Sequence, residues 1–297
     1  MPLSVSVIIP HLNQQDALLR CLASACEQPN VREIIVVDNG SRSGLDGVRA
    51  IYPNVLILNE PTPGPGPARN LGATCAMGDV LAFIDADCRA EKGWIAEALS
   101  ALAQPDARGV IGGDVRIDFG DPKRLTPLEA YESVFAYRQK MYITRHGYSG
   151  TGNLVVRREV LEKVGPFAGI DMAEDADWGR RAAALGHPAI YAPAMIVYHP
   201  ARKDYAEIES KWRRHIAHDR AVLAHGAITP LHWQVRRWAL LMSWLPDSVK
   251  LFTSQRLSGF GNRLRGVRAL IHTRVFRFRE MGIAPEYAAR ADAWNRG

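Results

Sequence analysis

The hydrophobic pattern changes period several times along the chain, and each change marks an element. Val5–Pro10 is a β-branched run stopped by proline, which predicts a first strand. From Asp16 onward, Ala17, Leu18, Cys21, Leu22 and Ala25 share one face at helical spacing. Ile34–Val37 and Val55–Leu58 read as further buried strands. Pro61–Pro67 then places four prolines within seven residues and predicts a stiff, irregular loop, followed by a helix over Ala68–Met77. Val80–Ile84 is apolar without a break and runs into Asp85-Ala86-Asp87. Such a run predicts a strand buried on both faces, hence parallel and central. Alternation along it sets Asp85 and Asp87 on one side at the strand's end, the edge where open parallel sheets bind ligands. Helix Trp94–Ala103 and strand Gly109–Ile117 continue a rhythm that argues for an α/β fold with a mostly parallel sheet.

The rhythm then changes. Pro127–Tyr142 reads as one amphipathic helix, His146–Asn153 as a glycine-rich loop, and Leu154–Arg157 as a strand. Glu174–Leu185 is a predicted helix closed by Gly186, and Ile190–Tyr198 supplies one or two short strands. Three helices are expected after that: Tyr205–His225, Leu231–Leu245 and Arg263–Met281.

Composition narrows the class. With 297 residues, 47% hydrophobic and 23% charged, the chain has the make-up of a soluble globular protein. Met1–Pro10 lacks the basic and apolar regions of a secretory leader, and no stretch nears the ~18 apolar residues of a membrane span. A cytoplasmic protein is the expectation. Cys21, Cys26, Cys75 and Cys88 form no C-x-x-C pair and read as reduced thiols, mostly in the core. The net charge of +6 is uneven: residues 201–297 carry 18 Lys and Arg against 8 Asp and Glu, and five of the seven Trp. A basic, Trp-rich tail suggests an anionic surface as partner. No nucleic acid is expected.

Candidate chemistry gathers at the strand ends. Two carboxylates as close as Asp85 and Asp87 repel each other unless a cation or donors intervene, which points to Mg²⁺ or Mn²⁺ with a substrate phosphate. The alternative is that one caps a helix and the other is solvated. Asp38, before Asn39-Gly40-Ser41, is placed to accept from a base or ribose, although the same residues are good turn chemistry. Gly64-x-Gly66 is not a dinucleotide fingerprint, because Pro65 and Pro67 remove the backbone N–H groups it needs. Arg69 and Asn70 near that helix start can still face a phosphate. Glu174, Asp175 and Asp177 crowd one helical turn: they complement the helix dipole, and their repulsion raises at least one pKa toward that of a useful base. Trp178 is either a core anchor or a platform for a sugar ring. His199 gains interest if it faces Asp87, where it would complete a metal site. Lys211-Trp212-Arg213-Arg214 offers cations for a diphosphate; Gln234-x-x-Arg237-Trp238 is better read as part of a basic amphipathic helix.

Taken in order, Val7–Asn13, Val36–Ser41, Gly66-Pro67-Ala68-Arg69-Asn70-x-Gly72, Asp85-Ala86-Asp87, Gly150–Asn153 and Glu174-Asp175 resemble glycosyltransferase family 2 with a GT-A fold. The likeness covers roughly residues 3–220. It implies a GT-A domain over 1–225; the basic, Trp-rich helical extension expected over 226–297 lies outside the likeness. It also implies an inverting transfer from a nucleotide-diphosphate sugar to an acceptor hydroxyl, dependent on a divalent cation, Mn²⁺ or Mg²⁺. By this resemblance Pro10, Asn13, Asp38, Arg69, Asn70, Asp85, Ala86 and Asp87 line the donor site, with Arg213 and Arg214 on the diphosphate. Asp87 and His199 hold the metal, Asp175 is the base with Glu174 beside it, and Gly152, Asn153 and Trp178 lie on the acceptor side. Leu12 stands where many members carry an aromatic residue. The implied setting is bacterial cell-surface polysaccharide or glycolipid synthesis at the inner face of the plasma membrane, with a saccharide or lipid-linked saccharide as acceptor. Two rivals make different demands. A sugar nucleotidyltransferase needs a glycine-rich loop after the first strand, and Pro10–Gln15 has none. A non-catalytic nucleotide-sugar binder or scaffold would keep Asp38 and Asp85 but has no use for Glu174-Asp175.

Overall fold

The computed structural model describes residues 3–170, 172–224 and 229–283. The chain forms two compact units, one of residues up to 116 with 137–200, the other of 117–136 with residues from 201 onward. The boundary expected at residue 225 concerns the extent of the family likeness and is a separate matter from this division by packing.

The first unit is built on a sheet of eight strands, β1 (Val5–His11), β2 (Val31–Asp38), β3 (Leu56–Asn59), β4 (Val80–Ile84), β5 (Arg89–Ala90), β6 (Val110–Asp118), β7 (Asn153–Arg157) and β8 (Ile190–Pro200), in the order β3-β2-β1-β4-β7-β6-β8-β5. Period-two alternation splits each apolar run between two cores. Val5, Val7, Ile9, Val80, Ala82 and Ile84 face helices Gln15–Cys26 and Trp94–Leu102. Ile8, Ile35, Val37, Leu81 and Phe83 face helices Pro65–Cys75, Arg158–Val164 and Glu174–Ala184. Burial on both faces therefore follows from helices above and below, and it does not fix strand direction. β4 is central as expected and parallel to β1, yet antiparallel to β7. Among the described pairings, β3-β2-β1-β4 is parallel, whereas β7 runs antiparallel to β4 and β6, and β5 antiparallel to β8.

Two expected elements are corrected here. The irregular loop ends at Gly64, and a helix begins at Pro65 with prolines in its first turn, where backbone N–H groups have no intrahelical acceptor to lose. The single helix expected over Pro127–Tyr142 is two, Pro127–Phe135 and Gln139–His146, because Tyr137 takes a left-handed φ of 46°. Cys21 and Cys88 are buried while Cys26 and Cys75 are exposed, and all four are free thiols.

In the second unit, helix Pro127–Phe135 opens with a full Thr126/Glu129 capping box. Its Leu128, Ala130 and Tyr131 share a core with Leu251, Ala269 and Leu270. Gly266, within helix Phe260–Met281, permits this closeness: a Cβ there would lie 2.8 Å from Leu251 Cδ2 and 3.4 Å from Ala130 Cβ. The expected helix Leu231–Leu245 stops at Met242 and a further helix, Trp244–Thr253, follows; Pro246 is tolerated in its first turn. His225 and Trp294 lie outside the described residues. None of the described helices is long and apolar enough to cross a membrane.

Candidate functional site

Parallel pairing brings the C-terminal ends of β1, β2 and β4 to one edge, the ligand-binding edge of such sheets. His11 and Asp38 are register partners there, with His11 Nδ1 3.2 Å from Asp38 Oδ1. The Asp38 carboxylate also accepts from the Ser41 hydroxyl and backbone N–H. Asn13, at φ 54°, ties the neighbouring loop down: its side-chain carbonyl accepts from Arg42 N at 2.9 Å and its own N–H donates to Ser41 Oγ at 2.9 Å. Asp38 is thus held at the edge by turn chemistry, which accounts for both readings of the Asp-Asn-Gly-Ser stretch.

Asp85 and Asp87 do not sit on the strand, so alternation does not orient them. β4 ends at Ile84, and Cys88 N donates to Asp85 O at 2.9 Å, closing a turn. Turn geometry sends the two carboxylates to different partners. Asp85 Oδ1 accepts from Arg69 Nη2 at 2.7 Å. Asp87 Oδ2 lies 3.3 Å from His199 Nε2. Gly152, next to the residue that opposes Ile84, leaves room for Asp85, since a Cβ there would lie 2.6 Å from Asp85 Oδ2.

Arg69 is 3% exposed and faces two carboxylates: Nη1 donates to Glu174 Oε1 at 2.9 Å while Nη2 serves Asp85. Its Nε is buried without a partner. Asp175, adjacent in sequence to Glu174, accepts from the Ala176 backbone at 2.7 Å. Burial raises its carboxyl above the ordinary aspartate range, and the Glu174 charge adds to the rise. Asp177 is neutralised by Arg181 one turn on.

The donor set around Asp87 suits a hard divalent cation. Ligand atoms of Asp87, Cys88 and His199 lie within 4.8 Å of one another. Burial pushes the Asp87 carboxyl up, opposed by His199 and reinforced by Asp85, so a cation here would relieve a charge the protein leaves in excess. Burial also pushes the Cys88 thiol well up, which keeps it protonated and leaves carboxylate and imidazole as the fitting ligands. Tyr137 joins this group, a residue that sequence reasoning missed: its ring packs on His199 at 4.5 Å between centroids, with the hydroxyl 2.9 Å from Nε2. Its only sequence signal was an aromatic within an apparently continuous helix.

Other expected site residues turn inward. Asn70 is taken up by a two-way amide pairing with the Phe167 backbone. Asn153 is fully buried: it accepts from Trp94 Nε1 at 2.8 Å and donates to the carbonyls of Asp114 and Met195. Trp178 is buried against Phe167 and donates to Gly165 O at 3.0 Å, the core-anchor alternative. Pro10 pairs with Val37 in the sheet, Ala86 is buried in the turn between the two aspartates, and Leu12 is exposed. In the second unit Arg213 lies near Glu209 at 3.5 Å and Glu280 at 3.7 Å, and Arg214 donates to Ser210 Oγ.

Comparison with known proteins finds relatives among glycosyltransferases. The glycosyltransferase AglE of Haloferax volcanii is 32% identical over 207 residues, spanning 67% of each chain. Among solved structures, the mannosyltransferase PcManGT from Pyrobaculum calidifontis, in complex with GDP-Man and Mn²⁺, aligns over 93% of this chain and 87% of its own, with a TM-score of 0.57 and 21% identity. GalNAc-T7 with UDP, GalNAc and Mn²⁺ aligns over 68% of this chain and 44% of its own, with a TM-score of 0.54 and 16% identity. These structural likenesses establish the GT-A fold. Residues 6–165 match the family model described as Glycosyl transferase family 2, more than half of the chain, and the protein belongs to that family.

Proposed function

We propose that this glycosyltransferase moves a sugar from a nucleotide-diphosphate sugar to an acceptor hydroxyl, with inversion at the anomeric carbon. The observation that carries the reading is the Arg69 bridge, which joins the turn bearing Asp85 and Asp87 to the helix bearing Glu174 and Asp175. On this reading Asp38 and Asp85 hold the nucleoside, with Pro10, Asn13 and Ala86 shaping the wall around them. Asp87 and His199 hold a divalent cation, Mn²⁺ or Mg²⁺, which when bound neutralises charge growing on the leaving diphosphate. Arg213 and Arg214 supply further positive charge to that diphosphate. Asp175, with its raised carboxyl, takes the proton of the attacking hydroxyl. Glu174 is occupied by Arg69 and positions rather than reacts. Gly152 shapes the acceptor side, with Asn153 and Trp178 supporting it from within the core.

The neighbours solved with GDP-Man or UDP and Mn²⁺ support a nucleotide-sugar donor and a metal. A saccharide or lipid-linked saccharide acceptor, used in bacterial cell-surface polysaccharide or glycolipid synthesis at the inner face of the plasma membrane, completes the reading. The transferase portion is taken as residues 1–225, with 226–297 as its extension. A thermal-shift panel of UDP, GDP and dTDP with and without Mn²⁺ tests the donor site, because a specific ligand raises the melting point by mass action. One nucleotide is expected to stabilise the protein only with metal. Stabilisation without any turnover of the matching nucleotide sugar would identify a binder instead of an enzyme.

A further inference from the structure

The second unit exposes an apolar face that its own core leaves largely uncovered, Trp238 meeting Phe278 edge-on. On helix Pro230–Met242, Leu231, Val235, Trp238 and Met242 recur every three or four residues and form one stripe. Leu245, Val249 and Phe252 repeat the spacing on helix Trp244–Thr253. All seven are between 39% and 75% exposed, whereas the opposite side of the first helix is committed inward through Trp233, which is buried and donates to Met281 O at 3.1 Å. Single exposed apolar residues need no explanation; seven at helical spacing over two successive helices do.

The segment that carries this face is predominantly positive. Residues 229–283 carry ten Lys and Arg against two Asp and Glu. Both acids are buried: Asp247 is held by Lys250 and Arg274, and Glu280 lies beside Arg213. Within the segment no carboxylate is exposed, Lys250, Arg268 and Arg279 reach solvent, and Arg236 is paired with Asp219 from the preceding helix. A second copy of the chain would bring two faces of like charge together. An anionic lipid surface complements both properties, with the apolar stripe below the headgroups and Lys and Arg among the phosphates.

We infer that the Leu231–Met242 and Leu245–Phe252 stripe docks the protein in the plane of an anionic membrane surface without crossing it. The inference rests on the peripheral placement included in the proposed function and specifies which surface achieves it; it is independent of the transfer chemistry. Full-length protein is expected to co-sediment with vesicles of phosphatidylglycerol and phosphatidylcholine at low salt, to bind pure phosphatidylcholine more weakly, and to be released by salt beyond the Debye screening range. Val235→Glu and Trp238→Glu, both at exposed positions, are expected to lower vesicle affinity by about tenfold or more while keeping the wild-type melting point. Absence of vesicle binding at low salt, or equal binding by the variants, overturns the inference. So does a lipid-free dimer, seen by sedimentation velocity, that the same variants dissociate, because the face would then belong to a second copy. Metal-dependent nucleotide binding, measured on the same samples, is expected to be unaltered, so failure of docking and failure of the catalytic reading are separable.

Discussion

Arg69 Nη1 donates to Glu174 Oε1 at 2.9 Å across 105 positions of sequence, and the same guanidinium holds Asp85 at 2.7 Å. One buried cation thus sets the spacing between the two acidic ends of the site. Arg69→Met leaves both carboxylates without this partner. Removing one member of a buried pair costs about 3–5 kcal/mol. Asp85 is 37% exposed and recovers some solvation, so a loss near or below the lower bound is expected. Urea unfolding of the variant against wild type measures it.

Asp87→Ala is expected to abolish the Mn²⁺-dependent part of nucleoside diphosphate binding while leaving the fold intact. Calorimetry with and without metal is the measurement. Equal diphosphate affinity in the two conditions for the wild type would remove Asp87 from the role.

Asp175→Asn is expected to lower turnover by about two to four orders of magnitude with donor affinity near wild type, the range for a lost general base. The raised carboxyl also makes two pH predictions. A base must be ionised, so the acid limb of kcat/KM lies above the ordinary aspartate value and activity falls as pH drops through it. For stability, the folded chain holds its proton at pH values where the unfolded chain has released it, so stability declines as pH rises through that interval. Asp175→Asn therefore melts higher than wild type at neutral pH, and the advantage vanishes in acid.

Gly152→Ala tests the packing beneath Asp85. The added methyl would sit 2.6 Å from Asp85 Oδ2, and that carboxylate is already fixed by Arg69. Displacing it by part of an ångström is expected to cost up to about 10²-fold in turnover, with little change in melting temperature. Wild-type kinetics in the variant would show that Asp85 needs no fixed position.

Lys211 offers a test of buried charge in the second unit. Burial lowers its pKa to about 8, with the Arg202 charge adding to the fall. Below that value the lysine is charged in both states and its burial destabilises the fold. Between about 8 and the ordinary lysine value the folded chain has lost a proton that the unfolded chain keeps, so this contribution to stability improves as pH rises. Lys211→Met is expected to raise the melting point at pH 7 and to gain progressively less as pH rises above about 8. A constant gain at every pH would refute the ionisation argument.

The parts of the molecule legible from sequence are those where one residue pattern has one physical solution. Val80–Ile84 is apolar throughout because helices cover both faces, and all five residues are buried. Asp38, the last residue of β2, and Asp85, just past β4, reach the C-terminal edge of the sheet because such strands end there. Direction was not legible, since β7 buries both faces as fully as a parallel strand would. Nor was the break at Tyr137: no glycine or proline marks it, and the partner that its ring meets there, His199, is 62 residues away. Arg69 was legible as a residue near a helix start, but its burial between two carboxylates depends on a partner more than a hundred residues away. Trp178 and Asn153 were ambiguous for a related reason, as an aromatic or an amide beside a site has the same local signature whether it faces ligand or core.

The shared core of helices Pro127–Phe135 and Phe260–Met281 has a consequence for how the chain is made. The first of these helices is complete early in synthesis, yet Leu128, Ala130 and Tyr131 are covered by residues such as Leu251, Ala269 and Leu270. At ribosomal speeds of about 5–20 residues per second, that apolar face waits roughly 6–28 s for its cover. During the interval it is a site for chaperones or for aggregation, and this core of the second unit closes only after helix Phe260–Met281 has been translated.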